Sequence, residues 1–308
     1  MSQAPIQRGY LFLIDKPTGV TSHDVVERAR RATGLPRIGH SGTLDPMATG
    51  LLLLCAGGAA RLQSFFTRMD KSYEGRIRLG HATTTFDREG EASGPSRPTD
   101  SVTRQAIEEA AASFRGEFLQ SPPPFSAKKV GGRKFYEMAR RGETVPLLPK
   151  KVRVSSLEFG PLQDGALPFT VSCSSGTYIR SIAAELGERL ACGAHLETLR
   201  RTRIGEFAIA DAVPLEAFER MTPSERLEAP HAMPLGSVRF PFERVRLASL
   251  EAWKIRRGQA IAARGVTARE GDWVTLVGQS DEIVALGQIA PAGTHKVSFI
   301  RPRIVLAE

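Results

Sequence analysis

The stretch Gly39 to Leu54, GHSGTLDPMATGLLLL, constrains the fold more than any other part of the chain. Gly39, Gly42 and Gly50 let the backbone turn tightly and approach a neighbour closely. Asp45 stands directly before Pro46. Asp is a favoured N-cap and Pro a favoured first helical residue, so the pair predicts a short helix with a carboxylate at its mouth. Arg61 to Phe66 then continues helically. A carboxylate held on such a loop can cap the helix or act as a nucleophile. Capping is the commoner use of an isolated Asp-Pro pair.

The segments around this loop read as a mixed chain. Tyr10 to Ile14 is a buried strand, followed by the rigid turn DKPTGVTS, Asp15 to Ser22. Lys16 in that turn can reach a phosphate or brace a carboxylate. Ser22 is placed to cap a helix that ends at Gly34. Lys71 to Leu79 alternates as a strand, with Tyr73, Gly75, Ile77 and Leu79 on one face. His81 to Gly90 is a polar loop that holds Asp87, and Thr103 to Phe114 is helical. Lys151 to Phe159 and Leu167 to Cys173 are strands, the second alternating cleanly. Gly176 breaks it, and a helix starts at Ile179, which puts Tyr178 and Arg180 at a strand-to-helix turn. Leu196 to Phe207 adds a further strand-like segment, and Met221 to Pro241 reads as a linker. Beyond it, Trp273–Val277, Ile283–Ile289, Lys296–Ile300 and Arg303–Leu306 predict four short strands of a small β domain.

Charge narrows the partner. Lys and Arg number 42 against 33 acidic residues, a formal charge of +9. The charge is concentrated between Gln120 and Lys151. There Lys128, Lys129, Arg133, Lys134, Arg140, Arg141, Lys150 and Lys151 face only Glu137 and Glu143, a local charge of +6. Phe125, Phe135 and Tyr136 are interleaved, and three prolines open the segment. Basic residues mixed with aromatics suit a nucleic-acid grip; a solvated loop is the plainer alternative. Cys55, Cys173 and Cys192 show no CxxC spacing and the six histidines are scattered, so neither a disulfide framework nor a metal site is expected. The apolar runs are too short for a signal or a membrane span, which reads as a cytoplasmic protein.

Four strings give the chain a family resemblance: LIDKPTGVTS, GHSGTLDPMATGLLLL, KSYEGRIRLGHATTTFDREG and CSSGTYIRSIAAELGERLACGAHLETLRRTRIG. Together they resemble the bacterial TruB family, the transfer RNA pseudouridine-55 synthases. The Pro-rich basic segment is similar to that family's RNA-gripping thumb. The resemblance implies an α+β fold: a mixed α/β pseudouridine synthase catalytic domain over residues 1–235, built on a central, mostly antiparallel sheet. The thumb insertion would span about 120–151, and a small PUA-like RNA-binding β domain would occupy 236–308. It implies isomerisation of uridine 55 in the T-arm of tRNA, with no cofactor and no metal; nothing in the sequence suggests an obligate dimer, so a monomer is expected. Asp45 would be the nucleophile, Tyr73 would pack on the target base and Arg180 would pair with Asp45. Tyr178 and Leu199 would line the pocket, His40 would contact the flipped-out nucleotides and Lys16 would support the loop. Asp87 would lie near the site. Lys128, Lys129, Arg133 and Lys134 would grip RNA. Phe125 departs from the family's frequent tyrosine.

The chemistry is consistent with these residue types. The reaction breaks the bond between ribose C1′ and uracil N1, turns the base and rejoins it through C5. It is neither a redox reaction nor a net hydrolysis, so it requires no cofactor. A carboxylate can attack the base or the sugar, splitting one hard step into two easier ones. Arg180 beside it would favour the charged form. Two rivals remain at this level: a non-catalytic RNA-binding protein on the same scaffold, and a nucleoside hydrolase that would release free uracil.

Overall fold

The computed structural model describes residues 9–123, 148–291 and 298–306, and the backbone alone of 129–130 and 133–134. Lys128, Phe125 and most of the basic insertion lie outside the described residues. Two sheets organise the chain.

The larger sheet runs in the order Val213–Pro214, Tyr10–Lys16, Thr49–Ala56, Ala194–Ile204, Lys71–Leu79, Ala166–Cys173, Lys150–Phe159, Gly116–Gln120. Its neighbours are antiparallel except at two places. Val213–Pro214 lies parallel to Tyr10–Lys16, and Ala194–Ile204 touches Thr49–Ala56 in parallel through Arg200↔Thr49 and Arg201↔Gly50. That brief parallel contact is a seam between two halves of the sheet. Gly50 has φ +101°, and a Cβ there would lie 2.3 Å from the Arg201 carbonyl oxygen, so only glycine lets the halves meet.

The run after Asp45-Pro46 is a strand, not a helix. Residues Asp45 to Ala48 close as a turn, with the Ala48 N–H donating to the Asp45 carbonyl at 3.0 Å, and Thr49–Ala56 extends from it. Leu51 and Leu53 pack with Leu11, Leu13 and Phe66 on one side of the sheet. Leu52 and Leu54 pack with Val25, Val26 and Ala29 on the other. A strand covered on both faces needs apolar residues at every position.

Helix Ser22–Thr33 is capped by Thr21 rather than Ser22. The Thr21 hydroxyl accepts from the Asp24 N–H, and the Asp24 carboxylate accepts from the Thr21 N–H at 2.8 Å. Helices Arg104–Ala111 and Ile179–Arg189 cover one face of the second half, burying Ile107, Ile179, Ile182 and Leu186 against Ile77, Val171 and Leu196.

The second sheet runs Glu243–Arg246, Trp273–Val277, Ile283–Ala290, Phe299–Val305, Ile261–Ala262. The last two expected strands merge into one, because Pro302 is accommodated at a register shift opposite Gly287. The expected linker is packed structure. Ala232–Pro234 pairs with Tyr10–Lys16, and Leu235, Val238 and Phe240 are buried with Val277, Ile283 and Leu286. Apolar surface on that segment is what holds it down.

Candidate active site

The Asp45 turn lies at the seam and is clamped by the segment from Lys16, the last residue of its strand, to Ser22, the first of the following helix. Lys16 is fully buried, and its ammonium donates to the carbonyls of Pro17 at 2.9 Å, Val20 at 2.7 Å and Pro46 at 3.3 Å. The Gly19 N–H donates to the Pro46 carbonyl at 2.9 Å, and the Thr18 hydroxyl to the Met47 carbonyl at 3.2 Å. Ser22, released from capping, accepts from the Leu44 N–H at 2.8 Å and donates to the Leu44 carbonyl at 3.2 Å. The two loops therefore hold one another through backbone groups that a buried segment must satisfy anyway. Burial pulls the Lys16 ammonium down to about 8, against a counter-pull from Asp45.

One guanidinium joins two carboxylates above this clamp. Arg180 Nε lies 3.0 Å from Asp45 Oδ2, and its Nη2 donates to Asp45 Oδ1 at 3.2 Å, a side-on two-point grip. Its Nη1 donates to Asp87 Oδ2 at 3.1 Å and to the Thr85 carbonyl at 3.2 Å. Arg180 and Asp87 are buried, whereas the Asp45 side chain keeps 34% exposure. A closed cluster thus presents a single open carboxylate. Burial raises the Asp45 pKa, Arg180 pulls it back, and Asp87 pushes it up again. Arg180 does favour the charged form, but desolvation is the larger influence.

Asp87 is itself held in place. Its Oδ1 accepts from the Thr85 hydroxyl at 2.6 Å and from the Glu89 N–H at 3.0 Å. Its loop is pinned to the Ala194–Ile204 strand, where the Leu196 N–H donates to the Phe86 carbonyl at 2.9 Å.

Tyr73 and Arg201 face one another on the adjacent antiparallel strands Lys71–Leu79 and Ala194–Ile204. Burial raises the Tyr73 hydroxyl pKa, and Arg201 opposes that rise through charge and a hydrogen bond. Arg201 is 1% exposed; it donates to the Leu51 carbonyl at 2.7 Å and to the Gly42 carbonyl at 3.2 Å. Sequence reasoning missed it. The available signal was phase, since Arg201 follows Leu199 by two in a strand and so shares its inward face. His40 is half-buried, and its Nδ1 accepts from the Gly42 N–H at 3.3 Å. Burial lowers its pKa, which keeps the ring neutral. Leu199 lines a cleft of about 820 Å³ with Thr18, Met47, Gly75 and Phe169.

Tyr178 stands at the N-cap of the Ile179–Arg189 helix, two residues before Arg180. Asp45, Arg180 and Asp87 are therefore in direct contact, with Lys16 beneath them. Of the expected RNA-gripping lysines and arginine, Lys129–Val130 and Arg133–Lys134 form a small antiparallel ladder whose backbone alone is described. Among the described residues no group of three His, Cys, Asp or Glu side chains is placed to hold a metal ion. No described helix is long and apolar enough to cross a membrane.

Comparison with known proteins decides the family. Residues 30–179 match the model described as TruB family pseudouridylate synthase (N terminal domain), and 180–244 match the tRNA pseudouridylate synthase B C-terminal domain. The chain belongs to the TruB pseudouridylate synthase family. It is a pseudouridine synthase, an isomerase. It is 42% identical over 281 residues to the tRNA pseudouridine synthase B of Solibacter usitatus, covering 91% of this chain and 95% of that one. It is 41% identical over 299 residues to that of Mycobacterium sp. (strain KMS), covering 96% and 97%. The fold is similar to a chain of an H/ACA RNP bound to a substrate RNA containing 2′-deoxyuridine. The TM-score is 0.73 at 23% identity, covering 99% of this chain and 86% of that one.

Proposed function

We propose that the protein isomerises uridine 55 in the T-arm of tRNA, with Asp45 as the nucleophile. One observation carries the assignment of Asp45. It is the single open carboxylate of a buried charge cluster, gripped at two points by Arg180 and aimed from a loop whose backbone is clamped. Membership of the family and the activity that names its relatives support the substrate.

The target uridine leaves its stack at a cost of a few kcal/mol and enters the site. Tyr73 supplies the aromatic face on which the base packs, with Leu199 and Tyr178 closing the pocket. His40 fills space beside the nucleotides that flank it. The Asp45 carboxylate attacks the ribose or the base, the N1–C1′ bond breaks, and the base turns. C5 then bonds to C1′, the C5 proton leaves and the carboxylate is released. Arg180 holds the carboxylate in line throughout, and Asp87 and Lys16 hold Arg180 and the loop. Lys128, Lys129, Arg133 and Lys134 contact phosphates, which contributes affinity and salt dependence but little sequence choice. The division at about residue 235 separates the catalytic part from a C-terminal sheet that adds RNA contacts, and the enzyme acts as a cytoplasmic monomer.

The test is tritium release from tRNA transcripts labelled at uracil C5. Release by the wild type, its loss when position 55 is changed to cytidine, and the absence of free uracil support the reading. Release that persists without uridine 55 overturns the position, and free uracil overturns the isomerisation.

A further inference from the structure

Gln120 ends the Gly116–Gln120 strand, and its side chain is buried at 5% exposure. Its Oε1 accepts from the Tyr178 N–H at 2.8 Å, and its Nε2 donates to the Tyr178 carbonyl at 3.0 Å. One amide thus captures both backbone groups of one residue, as a neighbouring strand would. Tyr178 is the N-cap of the Ile179–Arg189 helix, and no side chain caps that end from Tyr178 itself. Its carbonyl also accepts the first helical N–H, from Ile182 at 3.3 Å. A second tie runs beside the first. The Ser181 hydroxyl donates to the Ser121 carbonyl at 3.3 Å, and Pro122 and Pro123 are buried next to it. Gln120 and Ser121 therefore grip the helical turn that carries Arg180. A buried amide with both ends bonded fixes the two peptide planes that flank Tyr178, because breaking either bond strands a buried polar group.

We propose that Gln120 is a positioning residue for the isomerisation. It sets the first turn of the Ile179–Arg189 helix and thereby the two-point grip of Arg180 on Asp45. The inference rests on the reading of Asp45 as the nucleophile. It adds a residue 58 positions from Tyr178 in sequence whose hydrogen bonds among the described residues go to the Tyr178 backbone rather than to the charge cluster.

The experiment compares wild type, Gln120→Met and Gln120→Asn, with Asp45→Asn run in parallel. Met keeps the length without the hydrogen bonds, and Asn keeps the amide one methylene short. Tritium release from the labelled tRNA is followed across pH, well below each variant's melting temperature. In Gln120→Met, kcat should fall about tenfold with KM within about twofold, since small misplacements of a working group cost rate rather than binding. The acid limb of kcat should also move to higher pH, because a slackened Arg180 no longer pulls the Asp45 pKa back. Gln120→Asn should do the same, and it decides the matter if Gln120→Met does not fold. Wild-type kcat and an unmoved acid limb in a folded variant would overturn the proposal, leaving Gln120 a merely structural amide. Normal turnover by Asp45→Asn would instead overturn the underlying reading of the nucleophile.

Discussion

The two sheets bury very different things. Within the larger sheet and the elements packed on it, the interior holds Lys16, Lys71, Asp87, Gln120, Arg180, His195 and Arg201. In the second sheet the one buried polar residue among those described is Thr275, and its charges lie outside, as where Arg244 and Arg246 pair with the exposed Asp281 at 2.7 and 3.0 Å. Taking a charge out of water costs several kcal/mol unless partners stand ready. The second sheet avoids that cost, whereas the first accepts it repeatedly. Buried polar groups that compromise an apolar core mark where a fold has been shaped by chemistry rather than stability.

Two of the buried arginines divide the work. Arg180 is matched by two carboxylates and touches the open one. Arg201 is held by backbone carbonyls beside Tyr73, and burial lowers its pKa. The first tunes the partly exposed Asp45 carboxylate, and the second staples two halves of a sheet.

Substitutions break the contrast in graded steps. Asp45→Asn should cost at least about a thousandfold in turnover while tRNA binding, read by filter retention, survives. Loss of binding together with turnover would reduce Asp45 to a structural turn residue. Asp87→Asn leaves Arg180 one carboxylate short, and single-turnover rates should fall by about ten- to a hundredfold. Lys16→Met removes three donors beneath the Asp45 turn, and turnover should fall about tenfold. In the wild type Lys16 loses its proton as pH rises through about 8, so turnover should decline above that value; the decline should be absent from Lys16→Met. Thr275→Val, in the second sheet, should change thermal stability by less than about 1 kcal/mol and leave turnover unchanged.

Much of this arrangement was legible in the residues. Ala166–Cys173 and Lys71–Leu79 alternate because each has one face on the core, and the period of two survives in the sequence. Leu51 to Leu54 lost that signal because both faces are covered, so a strand passed for a helix. The Met221 to Pro241 segment looked like a linker because its few apolar residues are spread among prolines and charges. Only the fold shows that Leu235, Val238 and Phe240 converge. Asp45 and Arg180 stood out through their strings, but the role of Asp87 needed the structure, since its partner is 93 residues away. Arg201 hid in a run of arginines that reads as solvated surface.

The central claim is that Asp45 works as an ionised carboxylate whose pKa is set by burial, Arg180 and Asp87. The direct measurement is the pH dependence of the single-turnover rate for wild type and Asp87→Asn. Burial raises the Asp45 pKa above its ordinary 3.8, so the ionised fraction falls, and the rate with it, as pH drops through that raised value. Asp87 adds to the rise, so its neutralisation should shift the acid limb to lower pH even as the maximal rate declines. An acid limb that stays in place, or moves to higher pH, would contradict the account.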